Sequence, residues 1–322
     1  MALDPTDANH ALQIQAGTQG RKAGHKYELE IAKDLNEYQG DLKLLPENHN
    51  LFRGNIVPAL ISKVLSFLGW SQADKIEAIA LGALATAEEG KKWLMVHGVA
   101  VRACKSDILI TAYRGDEIMT IGVSIKQCNN SNPTNAQLFF TTASAFIQLL
   151  RGNGIAVSDQ ALNALKQFCG DTGFRPMDDP KITNRQTDPR RFFWEEIDST
   201  GLLELESIFA NSQDHITRLL LQKAYLGDPF TPEILLHKTK KKEEGMEQEY
   251  ALYTMDELIE LSREFAGFEK KTYRVWKGSY KDPEGIEHEA PRFGIVQMQR
   301  GGQAQHPTQL QFNLKAGYFY KI

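Results

Sequence analysis

The stretch KSDILITAYRGDEIMTIGVSIKQ, Lys105 to Gln127, constrains the fold more than any other part of the chain. Two runs rich in β-branched and aliphatic residues flank a Gly-Asp pair, a pattern that predicts two antiparallel strands joined by a two-residue turn. Centring the turn Arg114-Gly115-Asp116-Glu117 between Gly115 and Asp116 fixes the register. Asp107 then lies opposite Ser124, and Lys126, two residues further along, shares the face of Ser124. A slip of one residue would scatter the three. The hairpin is apolar along its length and carries a carboxylate, a hydroxyl and an ammonium together at its open end.

The surrounding pattern predicts the rest of a mixed fold. GRKAGHKYELEIAKDLNEY reads as a helix from Tyr27 whose buried face is Tyr27, Leu29, Ile31, Ala32 and Leu35. NIVPALISKVLSFLGW reads as a second helix. SQADKIEAIALGALATAEEGKKWL reads as a third, with Ser71 as its N-cap. After the short strands VAVRAC, DILITAY and IMTIGVSIKQ, the stretch NAQLFFTTASAFIQLL reads as a helix opened by a Thr134/Gln137 capping box. SDQALNALKQF, GLLELESIFANS, SQDHITRLLLQKAYLG and TMDELIELSREF read as helices. EILLHK, TYRVWKG, RFGIVQMQ and TQLQFNLK read as strands. This order of elements favours an α/β or α+β protein, with a central mixed sheet flanked by helices and with helical and C-terminal β elaborations. At 322 residues the chain can hold one large domain or two. The expected division is residues 1–170 as core and 171–322 as an elaboration packed on it.

Composition excludes several classes of function. No apolar run is long enough to span a membrane. The opening MALDPTDANHALQIQAG lacks the basic and apolar regions of a secretory signal. Three cysteines with no CxxC spacing argue for a reducing, cytoplasmic setting. There is no GxxxxGK[ST] loop, so no nucleotide cofactor is expected, and no GxSxG elbow. The net charge of −4 does not advertise nucleic-acid binding, but residues 290–322 contain Arg292, Arg300, Lys315 and Lys321 and no acid. The run KTKKKEEGMEQE reads as a solvated loop.

A carboxylate beside a lysine at a strand end suits phosphodiester hydrolysis. Asp107 would help hold a hard divalent cation such as Mg²⁺. Lys126 would orient a water or stabilise charge developing on the phosphate. One carboxylate makes a poor Mg²⁺ site, and no Asp or Glu occurs between Gln127 and Ser158. Glu28, on the first helix after Gly24, is the best second acid, and Glu30, one step round the helix, is the alternative.

Gly24-x-x-x-Glu28, an Asp opening a strand and a Lys closing its hairpin partner together resemble the PD-(D/E)xK nucleases, whose commonest members are type II restriction endonucleases. The resemblance covers roughly the first 150 residues. Ser106 stands where proline would precede the aspartate, and Ser124 stands where an acid is usual, giving S-x-K. Some restriction endonucleases carry S-x-K and draw their second acid from another element. The resemblance implies a restriction-endonuclease-like core with Asp107 and Lys126 catalytic, Glu28 the displaced or additional acid and Ser124 in the motif. It also implies that Ile125 offers its backbone carbonyl to the metal. The substrate would be double-stranded DNA, cut to 5′-phosphate and 3′-hydroxyl ends by a homodimer of a restriction–modification system.

The C-terminal run QMQRGGQAQHPTQLQ places Arg300, Gln303, Gln305, Gln309 and Gln311 around a Gly-Gly turn. Gln and Arg pair bidentately with adenine and guanine, and a two-stranded ribbon fits the major groove. The run therefore reads either as a base-reading hairpin, with Arg300 on a base and Lys315 on phosphate, or as an ordinary polar sheet face. Asn129 and Asn130, directly after the hairpin, are expected near the scissile phosphate. Arg175, Arg185, Arg190 and Arg191, in a long Pro- and Asp-rich loop, are expected to clamp the backbone.

Overall fold

The computed structural model describes residues 8–46, 50–81, 94–96, 99–101, 104–183, 185, 187–265, 267–273, 286–300 and 308–316. In chain order these form α1 (Ala8–Asn36), β1 (Leu51–Arg53), α2 (Ile56–Leu68), β2 (Lys75–Ala80), β3 (Leu94–Val96), β4 (Val99–Val101), β5 (Ile108–Arg114), β6 (Glu117–Gln127) and β7 (Ala136–Thr142). The chain continues through α3 (Ala143–Gly152), α4 (Asp159–Cys169), α5 (Ser199–Asn211), α6 (Gln213–Gln222), β8 (Pro232–Lys238), β9 (Glu249–Thr254) and α7 (Met255–Arg263). It closes with β10 (Phe268–Tyr273), β11 (His288–Phe293), β12 (Val296–Arg300) and β13 (Gln309–Leu314). The protein is thus mixed α and β. No described helix is long and apolar enough to cross a membrane.

Contacts divide the chain into two compact units. One comprises the described residues of Met1–Ala136 and Leu221–Leu258, the other those of Gln137–Leu220 and Ile259–Phe319. The units are therefore not the consecutive blocks 1–170 and 171–322. The strands of residues 232–254 belong with the hairpin more than 100 residues before them, because a sheet joins segments by pairing and not by proximity in sequence.

The first unit is organised by a mixed sheet in the order β1-β9-β8-β6-β5-β2. β5 and β6 form the hairpin, paired from Ile108↔Val123 to Arg114↔Glu117 as the turn requires. Gly115 takes φ +56°, a left-handed conformation that glycine adopts without strain. β6 runs parallel to β8, and the other pairings are antiparallel. One face is covered by α1 and α2, where Ile31, Leu35, Leu60 and Val64 pack with Ile108, Ile110, Val123, Ile125 and Leu236. Asn55 caps α2 through Val57 N, and Gly69 ends it at φ +68°. Lys63, fully buried on α2, is neutralised by Glu257 at 2.6 Å and donates to Asn50 at 2.8 Å. Glu257 also closes the capping box of α7 with Thr254, so one carboxylate satisfies both a buried cation and a helix start.

The second unit holds the sheet β10-β11-β12-β13-β7, with α3, α4 and α5. Its core is aromatic. Phe146, Phe209, Phe293 and Phe312 meet with ring centroids 4.8–6.3 Å apart, and Phe168 stands edge-on to Trp194 at 5.3 Å.

Three expected elements and one expected buried position are corrected, and one further strand is added. KIEAIA is strand β2 and not part of a helix capped by Ser71. It alternates, with Ile76, Ala78 and Ala80 buried, and pairs with β5. AQLFFTT is strand β7, and the following helix starts at Ala143 with Thr142 as its cap, so Thr134 and Gln137 open no helix. EYALYT is strand β9, whose signal is a short apolar run between polar residues. RFGIVQMQ is broken at Gly294, φ +53°, into β11 and β12. On α1, Leu29 is exposed, while Glu28 occupies the buried stripe with Ile31, Ala32 and Leu35.

Gly122 sits where β6 shifts register against β8. A Cβ there would lie 2.6 Å from the Thr231 carbonyl, 3.0 Å from Pro232 Cα and against the Ser106 hydroxyl. Gly122→Ala is expected to destabilise the protein by about 1–3 kcal/mol through this overlap. Urea unfolding of the variant, compared with wild type, measures it.

Candidate active site

The open end of the hairpin is closed by side chains. The Asp107 N–H donates to the Val123 carbonyl at 2.8 Å, and the Leu81 N–H donates to the Asp107 carbonyl at 2.9 Å, so the residue is fixed from both strands. Its Oδ2 then accepts three donors: the Ile125 N–H at 2.5 Å, the Ser124 hydroxyl at 3.3 Å and the Lys126 ammonium at 3.3 Å. The Lys126 Nζ also donates to the Ile125 carbonyl at 3.0 Å. Asp107 and Lys126 are each about four-fifths buried, with 23% and 21% of their side chains exposed. The pairing expected from the turn thus brings Asp107, Ser124, Ile125 and Lys126 together.

Glu28 approaches from α1. It is buried, and its Oε2 is sealed from solvent with no hydrogen-bond partner among the described residues. Burial, reinforced by the charge of Asp107 and opposed by Lys126, pushes its carboxyl up to about 7. Glu30 is exposed and lies 3.7 Å from Lys26, one turn away on the helix surface. Of the two candidate acids, Glu28 is therefore the one that faces the hairpin. A Cβ at Gly24 would lie 3.8 Å from Glu28 Oε1 and 3.9 Å from Gln127 Nε2, which brings Gln127 to the same place.

Three further residues shape this end of the sheet without having stood out in the sequence. His237 on β8 is the strand neighbour of Lys126 and is buried. Burial and the Lys126 charge push its imidazole down to about 3. Lys105 is buried, and its ammonium is pushed down to about 7 by burial and then by Lys126, against Asp107 and Asp228. Asp228 accepts backbone N–H groups from Lys105 at 2.8 Å, Ala224 at 2.9 Å and Phe230 at 3.1 Å, and so ties the strand leading into Asp107 to the loop before β8. Ser106 donates to the Phe230 carbonyl at 2.8 Å and adds to this anchoring.

Among the described residues no three His, Cys, Asp or Glu side chains gather as a ready metal cage. Mg²⁺ needs less, since it is held by one or two carboxylates and keeps several waters. The oxygen donors present fit it: Asp107, the Ile125 carbonyl, and Glu28 with a buried oxygen that lacks a partner among the described residues and feels the negative charge of Asp107.

The residues expected to meet DNA are placed less favourably. The Asn129 side chain accepts from Lys238 at 3.3 Å, and the Asn130 carbonyl accepts from the Lys241 N–H at 2.8 Å, so both bind the β8 end. The loop arginines are engaged by neighbouring acids. Arg175 grips Asp178 with two bonds, Arg185 pairs with Glu196, and Arg190 and Arg191 flank Asp188. Arg300 lies over the Phe193 ring at 4.1 Å and donates to the Phe192 carbonyl at 3.1 Å. Gln311 donates to Asn313 at 3.1 Å, Asn313 to Gln299 at 3.4 Å and Lys315 to Gln297 at 3.2 Å, forming a polar ladder on one sheet face, while Gln309 keeps a buried oxygen without a partner among the described residues. Gln303 and Gln305 lie outside the described residues.

Comparison with protein-family models finds no match, and comparison with curated proteins finds none either.

His237 gives a pH signature with a definite sign. Its folded value of about 3 lies below the ordinary 6.5, so the unfolded chain takes up the proton first. The contribution is complete above about pH 6.5 and is lost as pH falls toward 3. Urea midpoints of wild type and His237→Gln should therefore differ more at pH 7.5 than at pH 5. An equal difference at both values would remove His237 as the source.

Proposed function

We propose that this protein is a Mg²⁺-dependent endonuclease of the type II restriction kind, built on a PD-(D/E)xK core in its S-x-K form. It cuts double-stranded DNA at a short sequence, as a cytoplasmic homodimer of a restriction–modification system, and leaves 5′-phosphate and 3′-hydroxyl ends. The observation that carries this reading is the convergence of Ser124, the Ile125 N–H and Lys126 on one oxygen of Asp107, with the protonatable Glu28 facing them.

Bound Mg²⁺ would supply a water of lowered pKa and neutralise charge growing on the phosphate, held by Asp107, Glu28 and the Ile125 carbonyl. Asp107 cannot swing, because a backbone N–H and two side chains pin its Oδ2. Lys126, tethered to Asp107 and to the Ile125 carbonyl, is placed to orient the attacking water or to meet the developing oxyanion with no reorganisation. Glu28, whose carboxyl burial pushes up to about 7, would have to give up its proton to hold the ion, so the Mg²⁺ concentration needed for half-maximal activity should fall as pH rises toward that value.

A second reading is a repair or structure-selective nuclease on the same core. Arg300, the strongest base-reading candidate in the sequence, is packed on Phe193, which favours this alternative.

Digestion of a plasmid with Mg²⁺ tests both. Discrete fragments from wild type, with a loss of about 10²- to 10³-fold in Asp107→Asn and Lys126→Ala, support the restriction reading. Glu28→Gln should raise the Mg²⁺ concentration needed for half-maximal cutting. A random smear would favour the second reading, and folded wild type that cuts no DNA across several metals would overturn both.

A further inference from the structure

On the side of the sheet covered by α1 lies an open cleft of about 460 Å³ lined by Tyr27, Gly54, Lys238, Lys242, Glu247, Gln248 and Tyr250. Two links run from it toward the site. Tyr27 precedes Glu28 on α1, and Lys238 is the strand partner of Gln127, whose amide lies near Glu28. The lysines come from KTKKK, which the sequence alone presents as a solvated run.

The members of that run have different fates. Lys240 is paired with Glu243 at 2.7 Å. Lys238 closes β8, half-buried, with its ammonium 5.8 Å from the centre of the Tyr27 ring and 3.3 Å from Asn129 Oδ1. Lys242 also lines the cleft, and Tyr250 supplies an apolar wall, its ring stacked on Phe52 at 5.6 Å. Among the described residues Glu247, at the Gly54 rim, is the one acid in the lining against two lysines. A cleft with this excess of ammonium groups and two phenol rings accepts an anion attached to a larger, partly apolar body. A chain whose one phosphodiester lies at Asp107 and Lys126 must carry its neighbouring phosphate past either side of the site.

We infer that this cleft is a subsite for the phosphodiester next to the scissile one, with Lys238 and Lys242 binding its charge and Tyr27 and Tyr250 flanking the attached sugar. The inference rests on the nuclease reading. It makes Lys238 a substrate-positioning residue, outside the group that performs hydrolysis.

The test replaces single phosphates on either side of the cleaved bond with uncharged methylphosphonates, in a duplex containing the mapped cleavage site. Cleavage rates are compared for wild type, Lys238→Met and Lys242→Met, variants that keep the aliphatic stems. One replacement should slow wild type about tenfold and leave Lys238→Met, already slowed by a similar factor, unaffected. If wild type cuts but Lys238→Met and Lys242→Met respond to every replacement as wild type does, the subsite is overturned and the nuclease reading stands. If wild type cuts no DNA, the nuclease reading falls and the subsite falls with it.

Discussion

The hydrogen bond from the Ile125 N–H to the Asp107 carboxylate is the contact on which the site depends. Beyond Ile108 the regular ladder between the hairpin strands stops, and the side chain of Asp107 takes over as acceptor. A backbone donor at a strand end is fixed in space by the whole sheet, so the carboxylate inherits the rigidity of the scaffold. Ser124 and Lys126 then need only the alternation of β6 to reach the same oxygen. Register, side-chain convergence and strand termination are thus one fact seen three ways.

The electrostatics at this end of the sheet share a direction. Glu28 is pushed up, while His237 and Lys105 are pushed down, and in each case burial is the largest cause. All three are driven toward their uncharged forms, so the environment removes charge wherever Asp107 and Lys126 do not already balance each other. Such a site resists gaining a net charge by itself and accepts one when a charged ligand provides the counterpart.

Much of this was legible in the sequence. The turn at Gly115-Asp116 determines the hairpin register without further information, and the stretch from Gln127 to Ser158, empty of acids, pointed back to Glu28. The helical stripe could have been read more closely, since Glu28 falls at the spacing of Ile31, Ala32 and Leu35 where Leu29 does not. Strands β2, β7 and β9 were obscured for a physical reason: short apolar runs satisfy helical and extended periods equally until their partners are known. Two of the loop's ion pairs carried a warning nearby, because Asp178 follows Arg175 and Asp188 precedes Arg190 and Arg191 within three residues, and local ion pairs form before distant ones. Burial of His237 beside Lys126 was not legible, as it follows from a parallel pairing between segments over 100 residues apart.

That parallel pairing has a bearing on the order in which the molecule comes into being. The hairpin is local and can close as soon as residue 127 is made, but its β6 edge waits for β8, which arrives after another hundred residues of synthesis. Closing so long a loop is slow compared with forming a hairpin. The residues that ring Asp107 and Lys126 on that side, Asp228, Phe230 and His237, all arrive with the late segment. A growing chain therefore carries Asp107 and Lys126 for some time before the walls that surround them exist, and the finished arrangement appears as a late event in biosynthesis.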